Sequence, residues 1–235
     1  MKKIYFVFAL ILSLLLSMSG CNQCPSSISQ YEYNNIPWNS SVQETIDSLG
    51  VSDDKVTYGE LYESNGITGQ NIVIEDFEAF GYDTKYAIFG FEGYLNNEPG
   101  LASIQFFYDG IDAELLKKNL VDLYGESIQT FLEYNGYDGD EDTWTEKTSS
   151  ENITYWYSDI KLKDILSKRD IKSAWNYFNQ ELEPAYPKQS FDHYLDQPVA
   201  SIVLNTQYAH PEWFSEIVIG ISGGNALFFK QLTSE

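Results

Sequence analysis

Two apolar runs around one turn constrain this chain most. Residues 86 to 93 read YAIFGFEG and residues 101 to 109 read LASIQFFYD. Between them lies YLNNEPG, a stretch of turn formers. Runs rich in β-branched and aromatic residues that flank such a turn predict an antiparallel hairpin. In the second run Ala102, Ile104, Phe106 and Tyr108 fall at alternate positions, so they are expected to share one face.

Helix signals lie on either side. In WNSSVQETIDSLG, residues 38 to 50, Ser41 and Glu44 have capping-box spacing. Val42, Ile46 and Leu49 fall on one helical face, and Gly50 suits a left-handed helix end. A second helix is expected over 112 to 125, capped by Asp112 and ended by Gly125, with Leu116, Leu120, Leu123 and Tyr124 as its apolar stripe. NIVIEDF at 71 to 77 reads as a strand.

The second half is less regular. TWTEK (143–147) and NITYWYS (152–158) read as a hairpin pair. Residues 159 to 182 read as one or two helices, with Trp175, Phe178 and Leu182 along a face. PVASIVLN (198–205), FSEIVIGIS (214–222) and ALFFKQL (226–232) read as strands. The expected fold is α+β, with antiparallel sheet and helices packed on one face. A crude repetition of helix then hairpin suggests two related halves, 36–125 and 126–235.

The N-terminus carries its own signal. Lys2 and Lys3 precede Ile4 to Leu16, in which only Ser13 is polar, and Ser17 to Gly20 are small or apolar. This is the layout of a secretory signal peptide over residues 1–20. The uncharged stretch is at the short limit for a membrane-spanning helix. The junction Met18-Ser19-Gly20-Cys21 resembles the lipobox of bacterial lipoproteins. That resemblance implies diacylglycerol on the Cys21 sulfur, and two acyl chains anchor stably where one binds reversibly. A redox reading of the Cys21/Cys24 pair lacks the βαβ context such motifs need. Cys24 then reads as an unpaired residue of a tether, 21–35, that reaches at most about 45 Å at roughly 3.3 Å per residue.

Trp38, Val42, Leu49 and Gly50, with Leu123-Tyr124-Gly125, make a pattern of Trp, short capped helix and hairpin. It resembles the helix–hairpin modules of β-lactamase-inhibitor-protein-like domains and covers about a third of the chain. The resemblance implies a domain that binds other proteins and catalyses nothing.

Composition narrows the partners. Hydrophobic residues make up 43% of the chain and aromatics 16%, enough for a true core. The formal net charge is −21, and loss of the leader's two lysines would make it more negative. That argues against nucleic acid and against anionic lipid headgroups.

Candidate chemistry is sparse. Asp138, Asp140 and Asp142 occupy positions 1, 3 and 5 of a calcium loop, but Thr143 and Ser149 stand where the turn glycine and bidentate Glu belong. The plainer alternative is a solvated acidic turn. No G-x-S-x-G occurs, and the only histidines are His193 and His210. Ser190, Asp192 and His193 are neighbours in sequence, whereas triads are assembled in space. Two isolated histidines make no zinc site. No cofactor or metal is expected. Among the aromatics Trp144, Trp156, Tyr155, Tyr157, Trp175 and Trp213, core packing is expected for the majority. A Tyr208–Trp213 pair beside Pro211 is the expected contact patch.

These readings converge on a lipoprotein held at the extracytoplasmic face of a bacterial cell membrane through Cys21. Its domain, 36–235, is expected to bind a protein or envelope component without catalysis. The alternatives are a glycan-acting hydrolase using paired carboxylates, or a carbohydrate- or cation-binding module.

Overall fold

The computed structural model describes residues 31–64, 67–94, 97–138, 141–177, 179, 187–208, 217–224, 227, 230 and 231. In chain order its elements are α1 (Val42–Leu49), β1 (Val56–Tyr58), β2 (Tyr62–Ser64), β3 (Ile67–Glu75), β4 (Glu78–Ala79), β5 (Tyr82–Asp83), β6 (Tyr86–Tyr94), β7 (Gly100–Tyr108), α2 (Ala113–Tyr124), β8 (Thr130–Asp138), β9 (Glu141–Thr148), β10 (Ile153–Tyr157), α3 (Leu162–Ile165), α4 (Lys168–Tyr177), α5 (Lys188–Leu195), β11 (Ser201–Asn205) and β12 (Ile217–Ser222).

The hairpin at 86–109 forms as β6–β7 and sits near the centre of one antiparallel sheet. The order is β1-β3-β6-β7-β12-β11-β10, with β2 also on β3. Strands β3-β6-β7 of the first half and β10-β11-β12 of the second meet at the β7–β12 pair, each set counted inward to that seam. Both halves therefore build a single sheet. The fold is α+β.

One face of the sheet holds the core. Register places Ile72 beside Phe89, Phe89 beside Ile104, Ile104 beside Ile221 and Ile221 beside Ile202. The helices bury Ile46, Leu116, Leu120, Leu162, Ala174, Phe191 and Leu195 in that same cluster. The caps form as expected. Ser41 N–H donates to Glu44 Oε2 at 2.8 Å, Glu44 N–H donates to Ser41 Oγ, and Gly50 is left-handed at φ 65°. Asp112 accepts from the amides of Glu114 and Leu115. Such a cap stabilises a helix by about 1 kcal/mol.

Several expectations are corrected. Residues 143–147 do not pair with 152–158. They belong to β9, whose partner is β8, a strand absent from the sequence reading. Residues 153–157 instead join the main sheet beside β11. The break is at Ser149, whose hydroxyl donates to Ile128 O at 2.6 Å and accepts from Tyr155 N–H. Of the strand expected at 226–232, the described positions 227, 230 and 231 are helical. Leu227 and Gln231 are four apart and both buried, a helical spacing hidden by the aromatic content. Leu123 leaves the α2 stripe and is 63% exposed. A register shift in β7 pairs Phe91 with Leu101, so Leu101 rather than Ala102 joins Ile104 in the core cluster. Tyr31 and Tyr33, expected in the tether, are buried in the domain. The Tyr33 ring lies 4.8 Å from Phe106, and Tyr31 OH donates to Tyr157 O.

Candidate binding face

Side chains alternate across a strand, so the core residues leave a second set on the opposite face. Register sorts that set into rows. One row runs Asn71, Gly90, Ser103, Ser222, Ser201 and Tyr157. The next runs Val73, Ile88, Gln105, Gly220, Val203 and Tyr155. The third runs Glu75, Tyr86, Phe107, Val218, Asn205 and Ile153. None of these side chains belongs to the core cluster that the helices cover.

The first two rows are termed the trough for the short side chains near their middle. Their central positions are glycine, serine and glutamine, and their β10 end is tyrosine. At that end Phe131 stacks on Tyr157 at 4.1 Å, and Tyr155 lies 6.2 Å from Tyr157 in a nearly parallel plane. At the other edge Tyr62 lies over Gly69, where an added Cβ would sit 2.2 Å from its ring. The third row is closed by rings: Tyr86 is 4.6 Å and Tyr208 6.2 Å from Phe107.

Two glycines floor the trough for different reasons. A Cβ on Gly90 would meet Ser103 Oγ at 2.5 Å, so that position is set by packing. Among the described residues a Cβ on Gly220 would meet nothing within 4 Å. Glycine within a strand costs about 0.5–1 kcal/mol. Neighbouring atoms do not require it at 220.

The electrostatics of the tyrosine wall are simple. Burial, then Glu133, pushes the Tyr157 hydroxyl above its ordinary range, so it stays protonated. Glu133 pairs with Lys147 at 3.4 Å. A cleft of about 40 Å³ bounded by Glu133, Tyr157, Ser201 and Ser222 has room for a few waters at most.

The structure gathers some of the expected site residues elsewhere. Asp142 on β9 reaches Ser190 and His193 on α5. Its carboxylate accepts from Tyr134 OH at 2.9 Å and lies 3.4 Å from His193 Nε2. A hydrogen bond from Ser190, then those from Tyr134 and the charge of His193, hold it below the ordinary carboxylate range against modest desolvation. Tyr134 and Trp144 pack around the imidazole. In a hydrolytic triad the histidine lies between serine and carboxylate. Here the carboxylate is the hub and Ser190 is 1% exposed, so the group fastens the β8–β9 hairpin to α5. Asp192 instead pairs with Lys188.

Asp138 and Asp142 flank the β8–β9 turn, and Asp142 is committed to α5. Asp140, His210, Trp213, Cys21 and Cys24 lie outside the described residues. Among the described residues no group of three or more His, Cys, Asp or Glu side chains is placed to hold a metal. Trp156 is buried, with its indole N–H donating to Gly125 O, and Trp175 packs on Phe191. Trp144 is exposed, and Tyr155 and Tyr157 are half-exposed. Sequence reasoning missed the trough. Its signal was small residues at the outward alternate positions of β11 and β12.

Comparison with family models, curated proteins and solved structures finds no match to this chain. Among the described residues no helix is long and apolar enough to cross a membrane.

Proposed function

We propose that this chain is a bacterial lipoprotein, anchored through Cys21 at the extracytoplasmic face of the cell membrane. Its α+β domain holds a protein partner or envelope component, without catalysis, in the trough on the open face of the sheet. The observation that carries this reading is Gly220. A strand glycine that costs stability, with no described atom within 4 Å of the place its Cβ would take, keeps the trough floor low. The tyrosine wall supplies rigid amphipathic anchors of the kind that dominate interfaces. Phe131 and Tyr157 stack on each other, leaving only their outer faces for a sugar, which favours a protein over a glycan.

The test is site-specific photo-crosslinking in the producing cell. A photoreactive side chain at Gln105, on the trough floor, is expected to give a discrete protein adduct that Tyr157→Ala abolishes. The same group at Lys118 on α2 is expected to give none. Equal labelling from both positions would overturn the reading. Anchoring is tested separately: Cys21→Ala should leave the membrane fraction, and full retention there would refute the lipid anchor.

A further inference from the structure

The small cleft at the β10 end of the trough selects its occupant more narrowly than an open sheet face does. It is lined by Glu133 and Tyr157, by Ser201 and Ser222, and by the chain from Gln197 to Ala200. Its volume of about 40 Å³ amounts to roughly three water-sized spaces. Ser201 and Ser222 are direct partners across β11 and β12, so their Cβ atoms stand about 5 Å apart. Both belong to the first row of the trough, and Ser222 is exposed there.

The polar groups of this cleft are largely uncommitted. Among the described residues neither serine hydroxyl has a hydrogen-bond partner. Glu133 pairs through Oε2 with Lys147 Nζ at 3.4 Å, and Lys147 is not part of the cleft wall. The carboxylate is held from two sides. Phe131, two residues before it, stacks on Tyr157 at 4.1 Å. Tyr134, the residue after it, donates its backbone N–H to Gln197 Oε1 at 3.1 Å. Glu133 is thereby fixed against the segment that forms the back wall. Preformed walls reduce the entropy lost on binding.

Size and charge choose the occupant. Glu133 is the one charged residue lining the cleft among the described residues, so it favours a cation over an anion. A carboxylate oxygen and two hydroxyls offer three acceptors, and a primary ammonium carries three N–H donors on a compact head. The methylenes behind that head lie against the Tyr157 ring. A guanidinium sets four heavy atoms in one rigid plane, more than roughly three water-sized spaces hold. We infer that the cleft takes the ammonium of a lysine side chain of the protein partner, held by Glu133, Ser201 and Ser222. This deepens the trough reading above and rests on it.

The probe for the cleft is Nα-acetyl-lysine amide, titrated at physiological salt against the isotope-labelled full chain in neutral detergent micelles. The amide resonances of Tyr157, Ser201 and Ser222 should shift together and saturate. Nα-acetyl-arginine amide and the Nε-acetylated lysine should bind roughly fivefold or more weakly. Glu133→Gln should weaken the lysine amide roughly fivefold, whereas Glu114→Gln on α2, which removes the same charge, should not. Lys147→Met removes the competitor for Glu133 and should tighten binding roughly twofold, which a merely structural ion pair would not do. In the cell, Glu133→Gln should abolish the adduct from Gln105 as Tyr157→Ala does. An adduct that survives Glu133→Gln, or arginine binding as tightly as lysine, would overturn the inference and leave the trough reading standing. Lysine-specific shifts with no adduct from Gln105 would overturn the trough reading instead, and with it a protein as the source of the amine.

Discussion

The indole of Trp38 occupies the space where a side chain at Gly223 would begin. A Cβ built on Gly223 would lie 2.1 Å from the Trp38 ring. Trp38 is fully buried, and its carbonyl accepts from Lys230 Nζ at 2.9 Å. The start of the described chain is thus locked against the end of β12.

Gly223→Ala is therefore expected to destabilise by about 1–3 kcal/mol, the usual cost of overpacking. The denaturant midpoint should fall at an unchanged slope. Gly220→Ala, three residues earlier in open space, is the control and should show no loss.

Gln231 is a second lock. It is buried, its Oε1 accepts from Tyr94 N–H at 2.7 Å, and its Nε2 donates to Asn39 Oδ1 and to the Glu92 and Glu98 carbonyls. Gln231→Ala strands these groups and should cost about 1–3 kcal/mol. Gln231→Glu keeps the shape but turns a donor into an acceptor facing three oxygens, so it should be worse than alanine. Hydrogen exchange at the Tyr94 amide should accelerate in both variants.

What could be read from the sequence follows from range. The α1 cap, the β6–β7 hairpin and the α2 cap are local: each helix cap is encoded within a few residues and the hairpin within one continuous stretch, 86–108. The misreadings arise where a distant partner decides. In β9, EDTWTEKT is too polar to reveal that Thr130–Asp138 would pair with it. Leu227 and Gln231 lie in a segment whose phenylalanines suggest a strand. The trough could not be seen because it is a property of register. Ser103, Ser222 and Ser201 become one surface only when β7, β12 and β11 are aligned. Asp142 and His193 were singled out separately for different chemistries, and the fold brings them together for neither.

The Asp142 cluster predicts a pH dependence. Its folded pKa is depressed, with the Ser190 hydrogen bond the largest cause. A depressed carboxylate contributes stability that is fully present above its unfolded pKa, about 3.9, and lost as pH falls through the folded value. Wild type should therefore exceed Asp142→Asn in stability at neutral pH, and the difference should shrink below about pH 4. Fluorescence of Trp144, which packs on His193, should report the loosening of the hairpin over the same range. A stability difference that stays constant from neutral pH to pH 2 would contradict this assignment.

Gly220 separates stability from function most cleanly. Among the described residues nothing lies within 4 Å of the position a Cβ would take, and the strand is well paired on both sides. Gly220→Val should therefore stabilise the domain, by about 0.5–1 kcal/mol, through a stiffer backbone and better strand propensity. The same side chain would rise from the floor of the trough beside Gln105 and Val203. The crosslink from Gln105 should then disappear while the thermal midpoint rises. A loss of stability would show that the space over Gly220 is closed. A rise in stability with the adduct intact would move recognition away from the trough. Gain of stability with loss of the adduct is the expected result, and it would explain why a residue so poorly suited to a strand occupies the middle of this one.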